Sequence, residues 1–375
     1  MSDSPSEPLA AEALDRALTA AIRAGYAWTV RHERPEAWLE IARMTGVVMR
    51  ACGPGRGPVA PVELVAALRR PAGAWLPGCT ADVRGLVVLD EEDQLTDATF
   101  EIGCDHTAEV LAGQEDPGAG WLPAWRVHRA EQVEQAAFRA LLTGDEETYA
   151  RGRRFISEHP AGRLGALMSL RNDLALPGLV RYGEIPGERQ WRGSWWPCPV
   201  CRWPMRVRGS LVRCDFRPHE AVYTIGSGTS LQPLGRARRA PASGPVDGAV
   251  CVDESVWRYI VVPGVVEIRL HDRLTALRGV RTALYPGKDR YDIRATVTGE
   301  PIREFTLDVK DYASARALAR KLEERPIAAG CLVLPDYRSD QCEELRRLLP
   351  GLTVLTERGV HARIRREAGR REGQR

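Results

Sequence analysis

Residues 8–24 place Leu9, Ala13, Leu14, Leu18, Ala21 and Ile22 at the spacing of a helix with one apolar face. Residues 35–51 repeat that spacing with Trp38, Ile41, Met44 and Val48. After the turn-forming run GPGRGPVAP the pattern predicts a third helix over 61–70, then a short strand pair at 85–89 and 98–102. Helical spacing returns over 125–142, 145–158 and 161–173. Residues 1–185 therefore read as a mostly helical N-terminal region. Neither a G-x-x-x-x-G-K-[ST] phosphate loop nor a G-x-S-x-G elbow occurs in the chain. Cys104, Asp105 and His106 read as ordinary loop or core residues.

The pattern then changes twice. Residues 186–227 are rich in Trp, Pro and Cys, and 228–250 carry Gly, Pro, Ser and Arg without a period, the composition of a linker. From 251 to 375 a helix over 263–279 precedes strand-like runs at 281–285, 290–298 and 303–310. Helix 312–324, strand 329–334, helix 339–349 and strand 352–356 follow, and the basic tail from His361 reads as frayed. Three strands, then alternating helices and strands, predict an α/β domain with a mixed sheet. The fold class is α+β multidomain, in four parts: 1–185, 186–227, 228–250 and 251–375.

Composition alters this picture in three places. No apolar run approaches the roughly 20 residues a membrane-spanning helix needs. The start, MSDSPSEPLAAEALDRAL, lacks a basic stretch followed by an apolar one, so a cytoplasmic protein is expected. The nine cysteines, an odd number, point away from a disulfide framework. The net charge of +3 hides an asymmetry. Residues 1–185 hold 19 basic against 27 acidic side chains, 186–250 hold ten against four, and 251–375 hold 24 against 19. The positive field lies in the second half, where a polyanion such as nucleic acid would dock.

One chemical signal lies between residues 195 and 219. Cys198-x-x-Cys201 has the knuckle spacing that lets two thiolates reach one ion, and Cys214 and His219 follow after a hairpin-length gap turning at Gly209. The set Cys198, Cys201, Cys214 and His219 predicts a closed, structural Zn²⁺ ribbon. The competing reading, a thioredoxin-like redox pair, would need a βαβ setting that this Trp/Pro-rich segment lacks. Trp195, Trp196 and Trp203, among many arginines, suit either base stacking or the ribbon's own small core.

A second signal lies in the stretch E304-F-T-L-D-V-K-D-Y312. Residues i and i+2 of a strand share a face, so Asp308 and Lys310 project together, and a hairpin turning at 298–301 brings Asp292 beside them. Two carboxylates and the carbonyl of Val309 suit a hard divalent cation, Mg²⁺ or Mn²⁺. Such a cation with a lysine suits phosphodiester hydrolysis. Glu267, on the preceding helix, is the candidate further acid, and Asp289 is a rival to Asp292. Of 53 basic residues only Lys288, Lys310 and Lys321 are lysine. A compact ammonium at 310 is thus a marked choice in a chain that otherwise writes Arg. The bland alternative is a surface ion pair on an exposed strand.

These residues resemble a family. The D-(x15)-D-x-K pattern resembles the PD-(D/E)xK restriction-endonuclease fold. More narrowly, Y-P-G-K-D-R-Y-D-I-R and L-D-V-K-D-Y, after the Cys/His ribbon, are similar to the nuclease encoded beside bacterial PIWI-RE Argonaute-like proteins. The resemblance spans about 190–356 and leaves 1–185 without an assigned role. It implies a restriction-endonuclease-like C-terminal domain that cuts DNA in defence against plasmids or phages. Asp292 and Asp308 would hold the metal and Lys310 would be catalytic, with Glu267 as the helix acid. It implies a PIWI-like protein and a helicase as partners, and an R-loop or RNA–DNA hybrid among the substrates. Cutting both strands would call for two active sites, hence a homodimer. Tyr291 stands where the fold's signature has Pro. The other readings are a non-catalytic nucleic-acid-binding scaffold and a zinc-ribbon regulator.

Overall fold

A computed structural model of the chain describes residues 11–32, 34–79, 83–96, 98–99, 139, 141–142, 144–176, 181–299 and 301–372. The chain divides into two compact units, Met1–Arg129 with Tyr312–Arg320, and Ala130–Asp311 with Lys321–Arg375.

In the first unit, helices α1 (Ala11–Val30), α2 (Ala37–Cys52) and α3 (Pro61–Leu68) pack around Leu18, Ile22, Ile41, Val48, Leu64 and Leu68. Of the periodic positions, Leu14, Leu18, Ala21, Ile22, Ile41 and Val48 enter this core and Met44 packs against it. Trp38 stays 49% exposed, its ring edge-on to Trp28 at 5.5 Å. Pro61 opens α3, where its missing N–H costs nothing. The strand pair expected at 85–89 and 98–102 is replaced, in its described part, by a single bridge between Leu89 and Leu95 and a helical turn at Ala98–Thr99. Cys104–His106 and nearly all of 125–142 lie outside the described residues.

The second unit begins with α4 (Glu146–Glu158), capped by Asp145, whose side chain accepts from the Thr148 N–H at 2.7 Å. Strands β1 (Ala161–Arg163), β2 (Tyr182–Glu184) and β9 (Ala249–Val252) form an antiparallel sheet in the order β1-β9-β2, and α5 (Leu164–Asp173) follows β1. Between them, β3 (Ser194–Trp195) pairs with β8 (Gly244–Pro245). The four strands β4 (Arg206–Arg208), β5 (Leu211–Arg213), β6 (Val222–Ile225) and β7 (Leu231–Pro233) make an antiparallel meander. The span 228–250, expected as a linker, thus supplies β7 and β8, each completing a ladder. Residues 146–184, read with the N-terminal region, belong to the second unit.

Helix α6 (Val262–Thr275) leads into the C-terminal sheet. Pro263 cannot donate a backbone hydrogen bond, and the turn before it, Trp257–Val261, is π-helical, with the Val262 N–H reaching Trp257 O. The sheet is β10 (Val280–Leu284), β11 (Ile293–Val297), β12 (Arg303–Val309), β13 (Cys331–Leu334) and β14 (Thr353–Thr356), in that order. The β10–β11 and β11–β12 pairs are antiparallel, and β12–β13 and β13–β14 are parallel, so the sheet is mixed as expected. Helices α7 (Ala315–Glu324) and α8 (Cys342–Leu348) connect the parallel strands. The tail expected to fray is helix α9 (Glu357–Glu372), because Val360, Ile364 and Ala368 form a single i, i+4 row buried with Leu270 and Leu274 of α6.

Candidate active site and metal centre

The Cys/His set converges. The ligand atoms of Cys198, Cys201, Cys214 and His219 all lie within 4.8 Å of one another, and all four residues are buried. Cys201 Sγ and Cys214 Sγ stand 3.9 Å apart, and His219 Nδ1 stands 3.4 Å from Cys214 Sγ and 3.6 Å from Cys198 Sγ. A tetrahedron with Zn–S bonds of about 2.3 Å has S–S edges of roughly 3.8 Å, so the donor set fits zinc. The knuckle turns at Arg202, whose φ is 60° and whose N–H returns to Cys198 O at 2.9 Å. Outer donors point at the sulfurs: Val200 N–H to Cys198 Sγ at 3.4 Å and Trp257 Nε1 to Cys201 Sγ at 3.3 Å. Trp257 also stacks on Trp203 at 4.3 Å, which ties the approach to α6 to the ribbon.

The tryptophans choose between their two readings. Trp195, Trp196 and Trp203 are buried in the core around the ribbon and present no stacking platform. Two of the ribbon's arginines are committed as well. Arg206 binds Asp215, and Arg202 donates to Glu158 O.

The other predicted residues meet at one end of the interior strands β11 and β12 of the mixed sheet. Asp292 immediately precedes β11, and Asp308 and Lys310 lie at the end of β12, paired through Ile293 opposite Leu307. The Asp292 N–H donates to Leu307 O at 3.1 Å, and its Oδ2 accepts the Val309 N–H at 2.5 Å. Lys310 forms an ion pair with Asp308 Oδ1, the same-face pairing that the strand period predicts, and its N–H donates to Val333 O at 2.9 Å. Leu307 and Val309 face the core with α6 and α9. Glu267 of α6 is 2% exposed, and its charge acts on both Asp292 and Lys310.

Burial pushes the Asp292 carboxyl well above the usual range, and Glu267 and Asp308 add to that while Lys310 opposes it. Burial works against the Lys310 ammonium, but Asp292 and Asp308 outweigh it and hold the lysine charged beyond its ordinary range. Burial also raises Glu267, against the pull of Arg153.

Sequence reasoning missed three residues. Arg153 of α4 is buried, and its Nη2 reaches both oxygens of Glu267 at 3.1 Å while Nη1 pairs with Asp289 Oδ2. Tyr285 donates its hydroxyl to Glu267 Oε2 at 2.6 Å, and the Arg153 guanidinium lies over its ring at 4.2 Å. Tyr149, one turn before Arg153, meets the Tyr285 ring edge-on at 6.2 Å. Asp289, the rival first acid, faces Arg153, whereas Asp292 faces the Val309 N–H. Its turn is unusual: Tyr285, Lys288 and Asp289 have φ of 53°, 54° and 77° around Gly287. Non-glycine residues in that region cost about 1–3 kcal/mol each and persist where the surroundings over-determine them. The available signal for Arg153 was an arginine in the apolar row Tyr149, Arg153, Ile156 of an amphipathic helix.

Residues 264–372 match the family described as REase associating with pPIWI_RE, and residues 13–163 match the family described as pPIWI_RE three-gene island domain Y. The two matches together support a REase associated with pPIWI_RE. The first contains Glu267, Asp289, Asp292, Asp308 and Lys310, while Arg153 falls in the second. The N-terminal region, which sequence reading left without a role, carries the island-domain match. No curated protein and no solved structure matches the chain. Among the described residues no helix is long and apolar enough to cross a membrane.

Proposed function

We propose, from the premise that residues 264–372 are the REase-type part of a pPIWI_RE-associated protein, that the chain is a metal-dependent DNA endonuclease. The observation that carries this is the convergence of Asp292, Asp308 and Lys310 at one end of the strand pair β11–β12 inside the matched segment. Asp292, Asp308 and the Val309 carbonyl would hold Mg²⁺ or Mn²⁺, and Cys198, Cys201, Cys214 and His219 would hold a structural Zn²⁺. A bound divalent cation would neutralise phosphate charge and lower the pKa of a water.

The chain's own residues do the rest. The Val309 N–H fixes the Asp292 carboxylate, and Asp308 fixes the Lys310 ammonium. Lys310, paired with Asp308, would stabilise charge building on the phosphate oxygens. Its side chain keeps 32% of its surface exposed, so a phosphate can reach it.

The island match favours action with the other island proteins, in our reading a PIWI-like protein and a helicase, on DNA opened as an R-loop or RNA–DNA hybrid. A homodimer would supply two sites for two strands.

The test is hydrolysis of labelled duplex, single-stranded and R-loop DNA with Mg²⁺ or Mn²⁺, comparing wild type with Lys310→Ala. We expect a loss of about 10²–10³-fold in the variant, the usual cost of removing one preorganised charge-stabilising group. DNA binding should persist. Equal cleavage by both proteins would refute the site. Binding without cleavage by either, with the island partners present, would favour a non-catalytic scaffold.

A further inference from the structure

Glu267 was expected to complete the metal site, yet its carboxylate is already engaged. Both of its oxygens accept from Arg153 Nη2 at 3.1 Å, and Oε2 also accepts from the Tyr285 hydroxyl at 2.6 Å. The same guanidinium holds Asp289 through Nη1. Arg153 is 5% exposed and Glu267 2%, so neither charge is relieved by water, and each depends on the other. The planar fork of arginine can bind two carboxylates at once, which a lysine ammonium does less specifically.

The approach of α4 to α6 is built for this contact. Gly264 lies one turn before Glu267 on α6, and Ser157 lies one turn after Arg153 on α4. A side chain at Gly264 would sit 2.2 Å from Ser157 Oγ and 2.9 Å from Ser157 Cβ. The absence of one lets the helices close until the guanidinium reaches the carboxylate.

The charge count gives this contact a chemical meaning. With all four carboxyls ionised, as a bound cation would favour against the burial that raises Asp292 and Glu267, the acids Glu267, Asp289, Asp292 and Asp308 would bring four negative charges against the two positive ones of Arg153 and Lys310. The remainder is the charge that one divalent cation balances. Asp292 contacts the Val309 N–H through Oδ2 and Asp308 contacts the Lys310 ammonium through Oδ1, so neither carboxylate has both oxygens taken by a guanidinium as Glu267 does, and Asp289 keeps its Oδ1 outside the contact with Arg153.

We infer that Arg153 is the positioning residue of this nuclease site: its guanidinium withdraws Glu267 from the cation, holds Asp289 by one oxygen, and leaves Asp292 and Asp308 as the direct carboxylate ligands. The residue comes from the segment matching island domain Y, so the REase-matched segment does not contain its own complete site. The inference rests on the nuclease reading for its meaning, but its test has a readout independent of cleavage.

That readout is Mn²⁺ affinity of the zinc-loaded full chain, by calorimetry or electron paramagnetic resonance, for wild type, Arg153→Met, Arg153→Lys, Glu267→Gln and Arg153→Met/Glu267→Gln. Removing the arginine charge should tighten Mn²⁺ by about tenfold while cleavage falls about a hundredfold, because unrestrained carboxylates attract the ion and disorder the site. Glu267→Gln should weaken Mn²⁺ by no more than about tenfold. The double variant restores the charge count, avoids a lone buried charge, and should lie within about threefold of wild type. Arg153→Lys should recover part of the cleavage. A loss of Mn²⁺ binding in Arg153→Met in step with cleavage would make the arginine merely structural and overturn the inference. A loss of about a hundredfold or more in both Glu267→Gln and the double variant would make Glu267 a direct ligand and overturn it as well. If the Mn²⁺ order holds but wild type cleaves no DNA, the nuclease reading fails and the site assignment stands. If wild type cleaves but the Mn²⁺ order reverses, the assignment fails alone.

Discussion

Gly264→Ala tests the helix contact on which the site geometry depends. The added methyl would stand 2.2 Å from Ser157 Oγ and 2.9 Å from Ser157 Cβ. Rotating the hydroxyl clears the first clash but not the second. Carbon atoms prefer about 3.5–4.0 Å, so α4 and α6 must part by roughly 0.6–1 Å. Overpacking of this kind costs about 1–3 kcal/mol, and replacing a helical glycine by alanine returns about 1 kcal/mol. The net expectation is a loss of about 0–2 kcal/mol in urea unfolding. Catalysis should suffer more than stability. A shift of that size opens both 3.1 Å contacts between Arg153 and Glu267, and displacements near 1 Å can cost about 10²-fold in rate. The assay is paired: unfolding free energy, and DNA cleavage at saturating Mg²⁺. The double variant Ser157→Gly/Gly264→Ala removes both clashing atoms and should recover most of the cleavage, less the cost of a new helical glycine. Wild-type cleavage in Gly264→Ala, or no recovery in the double variant, would refute the claim that close packing at this point positions Arg153.

Three further outcomes follow from the same geometry. Wild type should carry one zinc per chain by elemental analysis, and Cys201→Ser should carry none and melt at lower temperature, since a closed Cys/His site contributes its binding energy to folding. Asp215→Asn should lose about 3–5 kcal/mol at neutral pH, because it leaves the buried Arg189 and its neighbour Arg206 without their shared carboxylate. Burial raises that carboxyl, but Arg189 and Arg206 hold it well below its ordinary value. Its contribution is therefore complete above about pH 4 and lost as the pH falls towards the folded value, so the gap between variant and wild type in denaturation should close in acid. Tyr285→Phe removes one donor to a buried carboxylate and should cost about 1–3 kcal/mol in urea unfolding while leaving the zinc content unchanged.

The two signals legible in the sequence are local. A strand period of two places Asp308 and Lys310 on one face, and a fifteen-residue spacer returns Asp292 to their side. C-x-x-C followed by a hairpin-length gap brings three thiols and an imidazole within reach of one ion. Each rests on a repeat that the backbone enforces, so residue type and spacing suffice. Helix α9 was hidden because its buried surface is a single row, Val360, Ile364 and Ala368, in an otherwise arginine-rich segment. An average over that stretch looks solvated even though one face is buried.

Arg153 was hidden for a different reason. It meets Glu267 across 114 residues of chain, a separation with no period. Its helix looks like any amphipathic helix with an arginine at its edge, and composition places the break in the chain at 185/186, where tryptophan and cysteine become frequent. That break marks the start of the ribbon and not the limit of the folded unit, which falls at 129/130. The island-domain match, 13–163, crosses that limit, so α4 belongs to the same compact unit as the REase-matched segment while lying by sequence in the other match. A buried carboxylate at Glu267 requires a cationic partner on physical grounds alone, since an unpaired one would cost several kcal/mol. The searchable question in such a sequence is therefore which distant arginine lies on an apolar helical row. In α4 the row Tyr149, Arg153, Ile156 supplies one.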